Sequence, residues 1–349
     1  MRLLQKSEYK KEGSILVDIK VPVRPTPIIS LCTLAALNLG EIKHLSQMRG
    51  PLHRIIEGLD TLLSYQDYPV EAARIGTMRY RPLGVGVINL AYYLAKNKVK
   101  YGDAECLKLI HQTFEAFQYY LLEGSMLLAK ELGACEGFKD TLYAQGKLPI
   151  DTYAKTVDKL VKPEYLMPWD KLREQIAKYG LRNCTVSAFM PAETSAWVSN
   201  ATNGVDLIKA LLTIKGNKEN VVPVLVPDVQ KYKKHYEVVW DVETQDYLKV
   251  MAVIQKFTDQ SISANTSYNP KNFSENKVPI DRLIEDIFVF AKNGGKTLYY
   301  ANTFDGNQQK TEVKGAEEDD KIIEEVEAEQ SHILIDTSED GCASGACAI

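Results

Sequence analysis

The stretch RPLGVGVINL, residues 81–90, decides the fold. Between the Arg–Pro step and Asn89 the side chains are apolar or absent, with no polar alternation, which describes a strand buried on both faces. Such a strand belongs to a parallel sheet covered by helices, and its flanks carry helical patterns. Upstream, LHRIIEGLDTLLSY predicts a helix near 51–66. Downstream, residues 103–132 repeat Leu107, Ile110, Phe114, Phe117, Leu121 and Leu122 at helical spacing. Further out, IISLCTL (28–34) and RNCTVSAFM (182–190) read as buried strands. Helices follow at about 247–260 and 279–292, and KTLYY (296–300) is a last short strand. Strands separated by helical crossovers predict an α/β architecture.

The chain of 349 residues is 45% hydrophobic, enough for one large domain or two ordinary ones. Its net charge of −4 comes from interspersed residues of both signs, so no basic face for a nucleic-acid backbone is expected. The longest apolar candidate, VVPVLVP at 221–227, is interrupted by proline and falls far short of the ~20 residues that span a bilayer. The start, MRLLQKSEYKKEG, lacks the apolar core of a secretory signal, so a cytoplasmic protein with no membrane partner is expected. Six cysteines in such a chain are expected to stay reduced unless chemistry uses them.

Three segments are expected: a proline-rich lead-in over 1–27, a catalytic domain over 28–305, and a tail over 306–349. The tail contains EVKGAEEDDKIIEEVEAEQ (312–330), too acidic and too poor in apolar surface to offset the entropy of ordering it. It ends DGCASGACAI, where Cys342 and Cys347 flank small, flexible residues. Two thiols on a tether can close a disulfide with little strain and exchange with a disulfide elsewhere. Incidental thiols on a loose end are the simpler reading of that pair taken alone.

Other constellations each have a bland reading. Cys32 sits in an apolar run, where cysteine is usually a small hydrophobe. Tyr299 and Tyr300 in a strand are expected to point to opposite faces as packing residues, although an adjacent pair of phenols can also pass a hydrogen atom stepwise. Pro191, Ala192, Glu193, Thr194 and Ser195 fall at a helix start, where free amides and two hydroxyls suit a phosphate; an ordinary capped helix is an equal alternative. GVG at 84–86 is not a dinucleotide loop, because Asn89 stands where the third glycine is needed. The five histidines show no ligand spacing, so no metal site is expected.

LCTLAALNLG, LSYQDYPVEAAR, PLGVGVINLAYYLAK, LRNCTVSAFMPAETSAWVSNATNG, QKFTDQSISANTSYNP, KTLYYANTFDG and DGCASGACAI occur in this order from about residue 28 onward. Together they resemble the second half of the large subunit of class Ia ribonucleoside-diphosphate reductase. The resemblance implies the second half, five strands, of a ten-stranded α/β barrel, followed by a flexible acidic tail. It implies that Cys32 helps reduce the ribose and ends in a disulfide, and that Tyr299 and Tyr300 relay a radical. Pro191 to Ser195 would hold the substrate diphosphate, and Cys342 and Cys347 would re-reduce the active-site disulfide. The family often has Ser where Ala192 stands, and VDLIKALL at 205–212 departs from its usual Pro-Arg stretch.

The N-L-C-x-E motif of the family's radical-bearing loop does not occur in residues 1–27. The resemblance therefore implies an amino-terminal large-subunit fragment as partner, as a split phage-type gene yields, and inactivity of this chain alone. It implies no cofactor on this chain but dependence on the diiron-tyrosyl radical of a small subunit, with thioredoxin or glutaredoxin as reductant and a ribonucleoside diphosphate as substrate. The alternative is a non-catalytic binding or assembly module that retains the fold. A cobalamin-dependent reductase generates its radical without a tyrosine relay, and Tyr299 and Tyr300 count against it.

Overall fold

The computed structural model describes residues 28–216 and 221–304, together with a short antiparallel pairing of Ser7–Glu8 with Val21–Pro22. The first half of the described chain runs through β1 (Thr33–Asn38), α1 (Arg49–Tyr65), α2 (Glu71–Tyr80), β2 (Leu83–Ile88), α3 (Leu90–Asn97) and α4 (Ala104–Leu132). The second half contains α5 (Trp169–Tyr179), α6 (Glu193–Val198), β3 (Leu212–Gly216), β4 (Val221–Leu225), α7 (Thr244–Gln255), β5 (Ala264–Tyr268), α8 (Ile280–Lys292) and β6 (Leu298–Thr303). This is the α/β content expected.

β1 and β2 pair in parallel from Thr33↔Leu83 to Asn38↔Ile88. A parallel pair needs a long crossover, and α1 and α2 supply it. All six residues of β2 are buried. The strand carries glycines because its neighbours press close. A Cβ at Gly84 would lie 2.6 Å from Leu34 Cδ2, and one at Gly86 would lie 2.7 Å from the Ala188 carbonyl oxygen. The 29-residue α4 runs through the main core and buries Ile110, Phe114, Phe117 and Leu121.

Two expected strands need correction. The strand predicted over 28–34 begins only at Thr33, and its approach is not buried: Ile29 and Leu31 are 43% and 40% exposed. The Ile29 N–H donates to the Ala72 carbonyl on α2 at 3.2 Å, which takes it out of any ladder. The segment predicted as a strand over 182–190 lies between β2 and the run into β5 and exchanges backbone hydrogen bonds with both, such as Val85 N–H to the Val186 carbonyl at 2.9 Å and Ser263 N–H to the Phe189 carbonyl at 2.8 Å, but forms only one bridge pair with each, Val85↔Ser187 and Phe189↔Ile262, and no continuous ladder. Its backbone donors explain this. The Val186 and Ser187 N–H groups donate to the Asp259 carboxylate at 2.8 and 3.0 Å, so a side chain takes the place of a strand partner.

β5 and β6 form a second parallel pair. Between the two pairs this segment makes isolated bridges and no ladder, so the described residues contain two-stranded sheets and not one continuous five-stranded ladder. β3 and β4 form an antiparallel hairpin beside them. The helix expected over 247–260 starts earlier and ends at Gln255, where the Thr258 hydroxyl donates to the Ile254 carbonyl at 2.8 Å and closes the last turn.

Candidate active site

Cys32 immediately precedes β1, and its sulfur would lie 3.5 Å from a Cβ placed on Gly84 of β2. The absent side chain of Gly84 is what leaves the thiol room. Partial burial there pushes the thiol pKa up from its usual value, although the residue is exposed overall. A raised pKa keeps the sulfur as S–H at neutral pH, suited to giving up a hydrogen and less suited to attacking as a thiolate. Burial raises the other described cysteines as well, Cys135 to about 11 and Cys106 and Cys184 to about 12.

Tyr299 and Tyr300 depart from the alternation expected of a strand. Their ring centroids are 4.2 Å apart, and the Tyr300 hydroxyl donates to that of Tyr299 at 3.4 Å. The cause lies in the register: Ala264 pairs with Leu298, but Thr266 pairs with Ala301. Two steps along β5 thus match three along β6, and the extra residue is a bulge that turns both tyrosines to one side. The Tyr300 N–H donates to Asn265 Oδ1 at 3.0 Å and anchors the bulge to β5. The hydrogen bond to Tyr299, followed by its charge interaction, raises the Tyr300 phenol. Both rings are more than half exposed.

The loop expected to bind a phosphate leads into α6, as predicted, but that helix has only six residues. Ala192 offers no capping side chain, and the Asn203 side chain serves instead, accepting the Ala192 N–H at 2.8 Å. The loop is tied to the strands by a chain of asparagines. Asn89 Oδ1 accepts the Thr202 N–H at 2.9 Å, and Asn89 Nδ2 donates to Asn38 Oδ1 at 2.9 Å. Asn89 has φ of 74°, a left-handed conformation that asparagine tolerates better than most residues.

Pro191, Glu193 and Thr194 line a cavity of about 530 Å³ together with Asp206, Lys209 and Tyr300. Asp206 Oδ1 accepts from the Tyr247 hydroxyl and from Asn265 Nδ2, each at 3.0 Å. Its carboxyl pKa is raised, because burial outweighs those hydrogen bonds. Asn265 therefore joins the cavity wall to the tyrosine bulge.

The structure thus brings three of the five loop residues and one tyrosine to a single cavity. Cys32, Ala192, Ser195 and Tyr299 do not line it. Cys342 and Cys347 lie outside the described residues. Asn38, Asn89, Asn203, Asp206 and Asn265 escaped the sequence reading; a polar residue closing each apolar run, as in LAALN and GVGVIN, was the available signal. Among the described residues no group of acidic, histidine or cysteine side chains could hold a metal, and no helix is long and apolar enough to cross a membrane.

Comparison with known proteins gives a family. A model of the family described as "Ribonucleotide reductase, barrel domain" matches residues 20–301. The chain is 44% identical over 347 residues to a protein of Haemophilus influenzae named ribonucleoside-diphosphate reductase subunit alpha, covering 97% of this chain and 43% of that protein. It is 46% identical over 288 residues to ribonucleoside-diphosphate reductase 1 subunit alpha of Escherichia coli, covering 82% of this chain and 35% of the relative. With the subunit alpha of Enterobacteria phage T4 it shares 38% over 306 residues, 85% of this chain and 40% of the relative. The chain spans less than half the length of each of these relatives. A match of this extent, on a chain whose β5 and β6 line a cavity together with the expected loop, means that it belongs to the ribonucleotide reductase family of oxidoreductases.

Proposed function

We propose that the chain is the carboxy-terminal part of the large subunit of a class Ia ribonucleoside-diphosphate reductase, active once joined by an amino-terminal large-subunit fragment and a small subunit. The observation that carries this reading is the tyrosine pair, brought side by side at a bulge, of which Tyr300 lines the same cavity as Pro191, Glu193 and Thr194. Two phenols with hydroxyl oxygens 3.4 Å apart are close enough to hand over a hydrogen atom. The exposed faces of β1 and β6 also support it: Leu34, Tyr299 and Tyr300 are each about half exposed, as strands awaiting a partner would be.

In this reading the family's five-stranded half-barrel is completed by the companion fragment, which also brings the thiyl-forming cysteine. The radical originates at the diiron centre and tyrosine of the small subunit, and Tyr299 and Tyr300 pass it inward. Pro191 to Ser195 hold the diphosphate of the ribonucleotide. Loss of the 2′ hydroxyl as water consumes two electrons and two protons, supplied by the Cys32 thiol and a second thiol, which become a disulfide. Cys342 and Cys347 exchange with that disulfide and are reduced in turn by thioredoxin or glutaredoxin. Chemistry of this kind requires the reducing conditions of a cytoplasm.

The test is to co-express the chain with an amino-terminal fragment and a small subunit and to measure deoxyribonucleotide formation. Turnover is expected only from the assembled set. Full turnover with Cys32→Ser would refute the assignment.

A further inference from the structure

Two short lysine-rich segments meet on one face of the molecule. KNKVK (96–100) closes α3, and KYKKH (231–235) forms the helical turns that follow Val229; together they hold six lysines, one histidine and no acid. α3 brings them together, because the Tyr92 ring lies 5.9 Å from that of Tyr232 and 6.4 Å from that of Tyr236. Lys98, Lys100, Lys231 and Lys234 are exposed. Two acids share the region and both serve the protein's own donors: Asp228 accepts the Tyr92 hydroxyl at 2.6 Å, and Glu237 accepts the Tyr101 N–H at 2.6 Å. Even with the flanking Asp103 and Asp241 counted, the lysines are in excess.

The described chain ends beside this face. The Phe304 ring packs 5.2 Å from that of Trp240, and the Phe304 N–H donates to the Tyr268 carbonyl at 2.9 Å. Trp240 follows Lys234 by six residues, a separation of at most about 21 Å. Glu312 follows Phe304 by eight residues, which span up to about 28 Å. There begins EVKGAEEDDKIIEEVEAEQ (312–330), whose nine acids and two lysines give it a net charge of −7. An acidic run thus starts within reach of a lysine face of opposite sign, and such complementarity favours contact between them.

We infer that residues 312–330 dock on the lysine face formed by 96–100 and 231–235 of the same chain. Each exposed ion pair contributes little by itself, so the contact depends on several pairs at once and on attachment within one chain. Pro227 and Val239, which bracket the second lysine segment, line the cavity, so docking sets the acidic run beside it. Cys342 follows Phe304 by 38 residues but Gln330 by only twelve, and twelve residues span at most about 41 Å. Anchoring the run at the lysines therefore shortens the tether and raises the concentration of the Cys342 and Cys347 thiols around the cavity. That consequence rests on the reading of these two cysteines as exchange thiols; the docking does not.

The experiment is zero-length carbodiimide cross-linking of the full chain, with the joined peptides identified by mass spectrometry. Amide links are expected between acids of 312–330 and Lys98, Lys100, Lys231 or Lys234, with a yield that is independent of protein concentration and falls about tenfold in ~0.5 M salt. Lys98→Glu combined with Lys234→Glu should cut the links at the remaining Lys100 and Lys231 by a similar factor. Neutralising Glu317, Glu318, Asp319 and Asp320 to their amides should do the same for the remaining acids, without touching the folded residues. Links spread over lysines elsewhere on the surface, or links to this face that grow with protein concentration, would overturn docking within the chain. In the assembled reductase both variants should slow turnover driven by thioredoxin several-fold and spare turnover driven by dithiothreitol, a dithiol small enough to act without the tail. Lost cross-links with unchanged thioredoxin-driven turnover would overturn the effect on the thiols. No turnover from the assembled wild type would sink the exchange-thiol reading, and the cross-links alone would then decide the docking.

Discussion

Replacing Asp259 by alanine should be among the most damaging single changes in the described chain, because one carboxylate organises the segment that joins the two parallel strand pairs. Its oxygens accept the Val186 and Ser187 N–H groups at 2.8 and 3.0 Å, the Ser187 hydroxyl at 3.1 Å and the Tyr143 hydroxyl at 2.9 Å. Hydroxyls can rotate toward other acceptors. Main-chain amides cannot, and the substitution strands two of them in a buried place. A buried donor without a partner costs about 1–3 kcal/mol, so the loss is roughly 2–6 kcal/mol. Against a typical total of about 5–15 kcal/mol that is a large fraction. Urea unfolding followed by circular dichroism measures it directly. Asp259→Asn keeps one acceptor oxygen and should recover part of the loss. A midpoint for Asp259→Ala that corresponds to less than about 1 kcal/mol of destabilisation would refute the view that this side chain replaces a strand partner.

Two further changes test the packing and the electrostatics. Gly86→Ala forces a Cβ to within 2.7 Å of the Ala188 carbonyl oxygen and should cost about 1–3 kcal/mol, whereas Gly58→Ala, with nothing within 4 Å on the exposed side of α1, should be neutral or stabilise by up to about 1 kcal/mol; equal melting temperatures for the two variants would contradict the close approach. Glu123 lies under desolvation that raises its pKa, but hydrogen bonds from His53 and Arg49 and their charges outweigh it and bring the carboxyl to about 2. The folded value lies below the unfolded one, so the stabilisation is complete above about pH 4.5 and disappears as pH falls through about 2. With Arg49 half exposed, solvent screening reduces the effect to about 1 kcal/mol. The stability gap between wild type and Glu123→Gln should narrow on acidification, and a gap independent of pH would contradict this assignment.

The sequence was most legible where burial is uniform. RPLGVGVINL was readable as a strand because all six residues of β2 are covered, and the core positions of α4 followed from helical spacing alone. It was least legible where a distant side chain decides the backbone. Nothing near Val186 reveals that Asp259, far along the chain, will take its amide, and the segment 182–190 therefore read as an ordinary strand. The start of β1 was misjudged for a related reason, since Ile28, Ile29 and Leu31 are apolar but the segment lies along α2 without being enclosed. At the cavity, Glu193 and Thr194 were identifiable from a helix start. Asp206 and Asn265 were not, because their neighbours in space come from other elements. The tyrosine bulge depends on pairing register, which is a property of two strands together and is invisible in either alone.

Asn265 engages both ends of its amide, Nδ2 with Asp206 in the cavity wall and Oδ1 with the backbone of Tyr300. A planar group pinned at both ends cannot turn without releasing one of them. The wall beneath a bound molecule and the ledge that presents the two phenols are thus hinged on a single pin, and a displacement of either is felt at the other.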